Sequence, residues 1–108
     1  MSVVELTQTD TDQYVELRCG DTTVVRLKET PATGFLWAVE NDAENVIVVK
    51  SSDFALDPTS GVGGGGQRVM IFEARQDGSA RLHFKLWRAW EGDESVKNQF
   101  DIFITVQT

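Results

Sequence analysis

The sequence predicts an all-β fold, an immunoglobulin-like antiparallel β-sandwich of about seven to eight strands. Three observations predict it: apolar and polar residues alternate in several short runs, turn residues separate these runs, and no segment shows the 3.6-residue period of a helix. The chain has 108 residues, enough for one hydrophobic core and too few for two independent ones. We therefore expect a single domain over residues 1–108.

The first half of the chain contains three strand-like runs. Residues 13–19 alternate, and their apolar face includes Cys19, which we expect to be a buried or half-buried strand residue rather than a reactive thiol. Residues 23–28 alternate in the same way and are rich in β-branched side chains. Trp37 and Val39 begin a third strand, which runs into the polar turn at residues 41–45.

The second half of the chain contains four more predicted strands. A β-branched run at residues 46–50 is extended loosely by Phe54 and Leu56, and another strand follows at residues 67–74. Asp77-Gly78 predicts a hairpin turn between two long strands, because this dipeptide supplies the positive φ angles of primed turns. The last two strands carry these inward positions: Leu82, Phe84, Leu86, Phe100, Ile102, Ile104 and Val106.

Charge and composition exclude several classes of function. Ten basic and seventeen acidic residues give a net charge of −7, which argues against a nucleic-acid or anionic-membrane surface. No apolar run is long enough to span a bilayer, and residues 1–5 lack the basic and apolar regions of an export signal. The compartment therefore stays open: cytoplasmic, or periplasmic or secreted if a signal has been removed. We expect a monomer when the protein is free.

Catalytic and metal-binding groups are few. His83 is the only histidine, it lies in a strand pattern, and no motif places a nucleophile beside it. Cys19 and His83 alone offer too few ligands for a transition-metal site, so we expect no metal and no cofactor. A hydrolase with paired carboxylates stays open at this point, although the predicted sandwich offers no obvious cleft. A binding module is favoured over an enzyme.

Three loops carry the functional signal. The first, the proline loop (residues 30–35), is an uncharged turn in which Pro31 fixes one φ angle and Gly34 permits a positive one. The second, the glycine loop (residues 57–66), exposes bare backbone. The third, the tryptophan loop (residues 88–98), carries Trp90 beside Gly92 and two acidic residues, which makes full burial of this ring unfavourable.

The glycine loop contains a Gly-x-Gly-x-x-Gly pattern at Gly61, Gly63 and Gly66. This pattern binds a dinucleotide only between a strand and a helix N-terminus, and a strand pattern follows it here, so we reject a nucleotide site. A flexible linker is also rejected, because the two halves of the chain are too small to fold separately. A loop held at both ends by strands explains the glycines best.

In order, these loops resemble the three signature motifs of the chagasin-type inhibitors of papain-family cysteine peptidases: Asn-Pro-Thr-Thr-Gly-Tyr, Gly-x-Gly-Gly and Arg-Pro-Trp. They stand here as Thr30-Pro31-Ala32-Thr33-Gly34-Phe35, Gly61-Val62-Gly63-Gly64 and Arg88-Ala89-Trp90. The resemblance covers most of the chain and implies an immunoglobulin-like protein that is not an enzyme and plugs the peptidase cleft reversibly. Its partner would be a papain-family cysteine peptidase.

The resemblance also implies a role for each loop. The proline loop would stand over the catalytic cysteine, the glycine loop would pair its backbone with the substrate groove, and Trp90 would anchor the leaving-group side, supported by Arg88. Pro31, Gly64 and Trp90 should then lie at one end of the sandwich.

Three positions depart from the motifs. Thr30 and Ala32 remove a polar contact that the family loop could make near the catalytic cysteine, and Ala89 leaves the third loop less rigid. Because a less preorganised loop loses more entropy on binding, these changes predict weaker or altered inhibition. The alternative is a non-inhibitory immunoglobulin-like adhesion or carbohydrate-binding module. It would use the same loops, or an aromatic strand face with Trp87 and Trp90.

Overall fold

A computed structural model describes residues 3–7, 12–56 and 65–108 of the chain. Within these ranges the protein forms eight β-strands and three single-turn 3-10 helices, with no α-helix. No helix there is long and apolar enough to cross a membrane. In chain order the strands are β1 (Val3–Thr7), β2 (Gln13–Arg18), β3 (Thr22–Glu29), β4 (Leu36–Asn41), β5 (Ile47–Leu56), β6 (Gly66–Ala74), β7 (Gly78–Trp87) and β8 (Asn98–Gln107).

The strands form two four-stranded sheets, which confirms the predicted sandwich. One sheet has the order β1-β3-β6-β5 and the other the order β2-β8-β7-β4. Most neighbours are antiparallel, while the edge strands β1 and β2 pair in parallel with β3 and β8. The short strand β1 was not among the predicted runs.

Inward-facing side chains of both sheets form the core, at the positions that the alternation predicts on β3, β7 and β8. Three aromatic contacts lie at its centre. Phe84 stacks on Phe100 with ring centroids 4.9 Å apart, Trp37 meets the edge of Phe100 at 5.6 Å, and Phe72 meets Phe84 across the two sheets at 6.1 Å. Such stacked and edge-on pairs contribute beyond their buried area, so this cluster ties the sheets together.

The Asp77-Gly78 hairpin prediction is wrong. The strands β6 and β7 that flank this turn are long, as expected, but they belong to different sheets. Gly78 has a φ of 149°, whereas Asp77 is not among the described residues with positive φ, so the turn is not of type I′. Arg75 donates its backbone N–H to the carbonyl of Val46 at 2.8 Å, which continues the pairing of β6 with β5, and the chain then crosses to the second sheet before β7.

The prediction that Cys19 is a buried or half-buried strand residue is also wrong. The strand β2 ends at Arg18, and Cys19 lies exposed in the turn that leads to β3. Its Sγ atom lies 3.7 Å from Oδ1 of Asp77. Partial loss of hydration and this carboxylate raise the pKa of the Cys19 thiol, which keeps it in the unreactive protonated form.

Strand directions bring the strand ends that carry the three loops to one end of the sandwich. The strands β3, β5 and β7 end there, and β4, β6 and β8 begin there, as the pairings of Glu29 with Gly66 and of Leu36 with Trp87 show. The proline loop crosses between the sheets, while the glycine and tryptophan loops each join neighbouring strands of one sheet. We call this end of the molecule the loop end.

Candidate functional site

The proline loop is a tight turn closed by its own backbone. Pro31–Thr33 form a 3-10 turn, and Gly34 follows with a φ of 80°. The N–H of Thr33 donates to the carbonyl of Thr30 at 3.0 Å, and that of Gly34 donates to the carbonyl of Pro31 at 2.8 Å. The Thr33 hydroxyl adds a bond of 2.7 Å to the Thr30 carbonyl. The turn therefore has the fixed proline and positive-φ glycine that its sequence predicts.

The tryptophan loop contains two further 3-10 turns, Ala89–Glu91 and Asp93–Ser95, on either side of Gly92. The hydroxyl of Ser95 accepts a hydrogen bond of 2.9 Å from the N–H of Arg88 and lies 2.7 Å from the carbonyl of Gly92. A serine side chain thus ties the start of this loop to its middle. Sequence reasoning did not single out this residue.

Arg88 joins the tryptophan loop to the proline loop. Its Nε and Nη2 atoms donate to the carbonyl of Thr33 at 3.1 and 2.9 Å, and Nη1 lies 3.1 Å from Oε2 of Glu91. The guanidinium carbon lies 4.4 Å from the centroid of the Phe35 ring, a cation–π contact. Because the donor is charged, the bonds to Thr33 are stronger than ordinary amide bonds and hold the two loops together without a partner.

Trp90 is exposed, as predicted, with 71% of its surface open to solvent. A Cβ atom at Gly34 would lie only 2.6 Å from Cη2 of the Trp90 ring. The indole therefore rests on the bare backbone of the proline loop and leaves most of its surface free. Gly34 is needed twice, for its positive φ and for this close approach.

The central part of the glycine loop, with the predicted residues Gly61, Val62, Gly63 and Gly64, lies outside the described residues. Only its C-terminal end, Gly65 and Gly66, is described. A Cβ at Gly65 would lie 2.7 Å from Oγ1 of Thr30, and one at Gly66 would collide with the backbone of the neighbouring strand β5. The glycine loop thus returns to the sheet directly beside the start of the proline loop.

A buried carboxylate supports this end of the sandwich, and sequence reasoning missed it. Glu29 is 1% exposed and pairs with Arg68, with Oε1 and Nη2 2.9 Å apart. Its second oxygen accepts the N–H of Trp37 at 2.8 Å. The carboxylate therefore connects β3, β4 and β6, the strands that carry both ends of the proline loop and one end of the glycine loop. A signal existed, because the alternation of Thr23, Val25 and Leu27 continues to this position.

Away from the loop end, the reactive side chains of the described residues do not form a catalytic arrangement. His83 and Cys19 do not pair as a base and a nucleophile. The Nδ1 atom of His83 lies 2.6 Å from Oδ1 of Asp101, and Cys19 hydrogen-bonds to Asp77. Burial alone would raise the pKa of Asp101, yet hydrogen bonds from His83 and Arg81 outweigh it and lower that pKa. No described group of three or more His, Cys, Asp or Glu residues could hold a metal ion.

Comparisons with known proteins decide the family. The profile of the chagasin family of peptidase inhibitors matches residues 16–104. The chain belongs to this family. Its membership confirms the resemblance drawn from the motifs, and with it the predicted function of a chagasin-type inhibitor of papain-like cysteine peptidases that is not an enzyme.

Solved structures show the same fold in other proteins. The cysteine protease inhibitor EhICP2 from Entamoeba histolytica superposes on this chagasin-family chain with a TM-score of 0.90 at 16% identity, over 99% of this chain and 97% of that one. Amebosin gives a TM-score of 0.79 at 20% identity, over 96% and 97% of the two chains. PbICP-C, solved in complex with falcipain-2, gives 0.66 at 16% identity, over 99% and 100%. A comparison with curated protein sequences finds no match.

Proposed function

We propose that this chagasin-family protein inhibits a papain-family cysteine peptidase reversibly by laying its loop end across the active-site cleft. In this proposal the proline loop, Thr30 to Phe35, covers the catalytic cysteine, and residues 61–64 of the glycine loop pair with the substrate groove. Trp90 packs on the leaving-group side of the cleft. No covalent step is involved, because the contacts are backbone pairing and apolar burial.

The contacts between the proline loop and the tryptophan loop support this proposal best. Arg88 bonds to the carbonyl of Thr33, and the ring of Trp90 rests on Gly34, so the two loops are fixed relative to each other before any partner arrives. Ordering loops on binding costs free energy, and a preassembled edge avoids much of this cost. The complex of PbICP-C, a protein of this fold, with falcipain-2 is consistent with the same use.

The carbohydrate-binding alternative needs tryptophan rings that lie together on a strand face. Trp87 lies at the end of β7, where the ammonium of Lys85 sits 3.6 Å from its ring centroid and occupies a ring face. Trp90 lies on the tryptophan loop, beside the proline loop. This arrangement does not form a flat aromatic platform.

Truncation of Trp90 tests the proposal. Loss of an exposed aromatic anchor at an interface typically costs about 2 to 4 kcal/mol, so Trp90→Ala should raise the inhibition constant for papain roughly 30- to 1,000-fold. Thermal unfolding should hardly change, because the ring makes little contact with the core. The measurements are titration of papain activity and thermal denaturation of each purified variant.

Tyr14→Ala is the matched control, since Tyr14 is 78% exposed and lies on β2, which does not reach the loop end. It should inhibit papain like the wild type. A stable Trp90→Ala protein that still inhibits fully would remove Trp90 from the proposed interface. A marked drop in its melting temperature would instead identify Trp90 as a core residue.

A further inference from the structure

A pocket of about 270 Å³ opens beside the proline loop, on the side of the tryptophan loop that leads into β8. Its apolar lining is formed by Phe35, Trp37 and Leu86. Lys97 and Asn98 line it with hydrogen-bond donors. The proline loop thus forms one side of the pocket, while Lys97 and Asn98 on the other side lie outside the three motifs.

Within the described residues, the charge of Lys97 is not neutralised by a carboxylate. No described carboxylate forms an ion pair with its ammonium, whereas Lys85 pairs with Asp93 at 3.2 Å and Arg88 with Glu91 at 3.1 Å. The ammonium of Lys97 lies 4.3 Å from the centroid of the Phe35 ring. That contact orients the cation over the pocket without cancelling its charge.

The remaining polar groups of the pocket favour an anionic guest. The side-chain amide of Asn98 makes no hydrogen bond with a described residue, so its donors are available. Lys28 adds a second lysine to the lining. Glu29 is the acidic residue of the lining, and its carboxylate is already engaged by Arg68 and by the N–H of Trp37.

We propose that this pocket receives an Asp or Glu side chain from the rim of the target peptidase's cleft. The carboxylate would bind the ammonium of Lys97 and the amide of Asn98, and its methylene groups would pack on Phe35. This inference rests on the proposed function, because it requires the proline loop to sit at the cleft. It adds a specificity rule: among papain-family peptidases, the chain selects those with a carboxylate beside the active site.

The net charge of the inhibitor gives this contact a further role. A charge of −7 repels an acidic partner at long range, so a partner with a carboxylate at its cleft needs a local cation to meet it. Lys97 supplies that cation at the loop end. Charges at the rim of an interface act mainly on the association rate and on its dependence on salt.

The test compares lysine variants on a panel of papain-family peptidases that includes papain, using the member that the wild type inhibits most tightly. Lys97→Met should raise its inhibition constant by about 5- to 30-fold at low salt, and Lys97→Glu by more. The association rate should fall, and the salt dependence of inhibition should weaken. Lys50→Met, an identical change on β5 near the opposite end, should stay within about twofold of the wild type.

Carbodiimide cross-linking of the same complex gives a readout that a purely structural role of Lys97 would not produce. We expect a zero-length cross-link between Lys97 and an Asp or Glu of the peptidase, identified by mass spectrometry. Full inhibition by Lys97→Met at low salt, or weakened inhibition with neither an altered salt dependence nor this cross-link, would overturn the carboxylate pocket while leaving the proposed function intact. If the wild type inhibits no member of the panel, the proposed function and this inference both fail.

Discussion

At the scale of single residues, Gly34 links backbone conformation to the proposed binding surface. Its φ of 80° is one that L-residues rarely adopt, and its missing side chain leaves the space that the Trp90 ring occupies. A glycine required by a turn thus also sets the position of an aromatic ring on another loop. The two requirements can be separated by experiment.

Gly34→Ala should lose both stability and inhibition. The positive φ should cost about 1 to 2 kcal/mol of unfolding free energy, and the new Cβ would push the Trp90 ring from its position. We expect the inhibition constant for papain to rise roughly tenfold, about 1.4 kcal/mol. Urea unfolding and papain titration measure the two effects.

Gly20→Ala is the control for this prediction, because Gly20 has a similar φ of 92° and a Cβ there would meet nothing within 4 Å. It should lose similar stability and keep full inhibition. Equal inhibition by the two variants would mean that the position of the Trp90 ring does not depend on Gly34.

At the scale of secondary-structure elements, the end of β3 determines how the loops are held. Glu29 is the last residue of this strand, and its buried carboxylate joins Arg68 of β6 to the backbone of β4. A buried charge is costly unless it is paired and hydrogen-bonded, and here both oxygens have partners. The ion pair therefore fixes the relation of three strand ends rather than simply adding stability.

Glu29→Gln should destabilise the protein by about 2 kcal/mol or more, because it leaves the Arg68 guanidinium without its counter-charge in a half-buried site. Inhibition of papain should weaken as well, since the strand ends that carry the proline and glycine loops would be less firmly held. Urea denaturation and inhibition titration test this.

The exposed pair Arg26–Glu5 offers a matched comparison, with side chains that are 43% and 62% accessible. Glu5→Gln should change the unfolding free energy by less than about 0.5 kcal/mol and leave inhibition unchanged. If Glu29→Gln behaves like Glu5→Gln, the buried pair does not organise the loop end.

The elements also show how far sequence reasoning reaches. Alternation located the core faces of β3, β7 and β8, because burial on one face of a strand depends only on local periodicity. It did not reveal that β6 and β7 belong to different sheets, since a turn dipeptide specifies local backbone angles and not the strand that lies beyond. Asp77-Gly78 was therefore mistaken for a hairpin.

The motif residues of the candidate site were predicted from the sequence, but the residues that hold them in place were not. Thr30 to Phe35 and Arg88 to Trp90 were found because proline, glycine and an exposed tryptophan stand out in a strand-rich sequence. Ser95, Lys97 and Glu29 were missed, because each acts through contacts that exist only once the chain has folded. Of these three, only Glu29 has a recognisable signal in the sequence, because it is a charged residue on the inward face of an alternating strand.

At the scale of the whole molecule, Cys19 and the proposed binding surface lie at opposite ends. The strand β3 runs from Thr22, three residues after Cys19, to Glu29 at the loop end. Eight residues of extended chain span roughly 23 Å. A change at the thiol should therefore leave the loops undisturbed.

Cys19→Ser, and wild-type protein alkylated with iodoacetamide and freed of excess reagent, should inhibit papain as well as the untreated protein. Alkylation should be slow near pH 7, because the raised pKa of Cys19 keeps the thiolate scarce, and Asp77→Asn should speed it. Alkylation kinetics by mass spectrometry and papain titration measure both. A folded, alkylated protein without inhibition would show that the thiol takes part in the interaction.

The irregularity in β5 bears on how such a protein avoids self-association. This strand forms one edge of its sheet, and its register shifts between Val49 and Ser51, at the exposed Lys50. An uninterrupted edge of ten residues would be a template for adding a further strand from another copy, the first step toward aggregates. The register shift and the charge of Lys50 interrupt this edge and disfavour such pairing. A protein proposed to pair the backbone of one loop with a partner at the loop end thus keeps its long edge strand from pairing with other copies of itself.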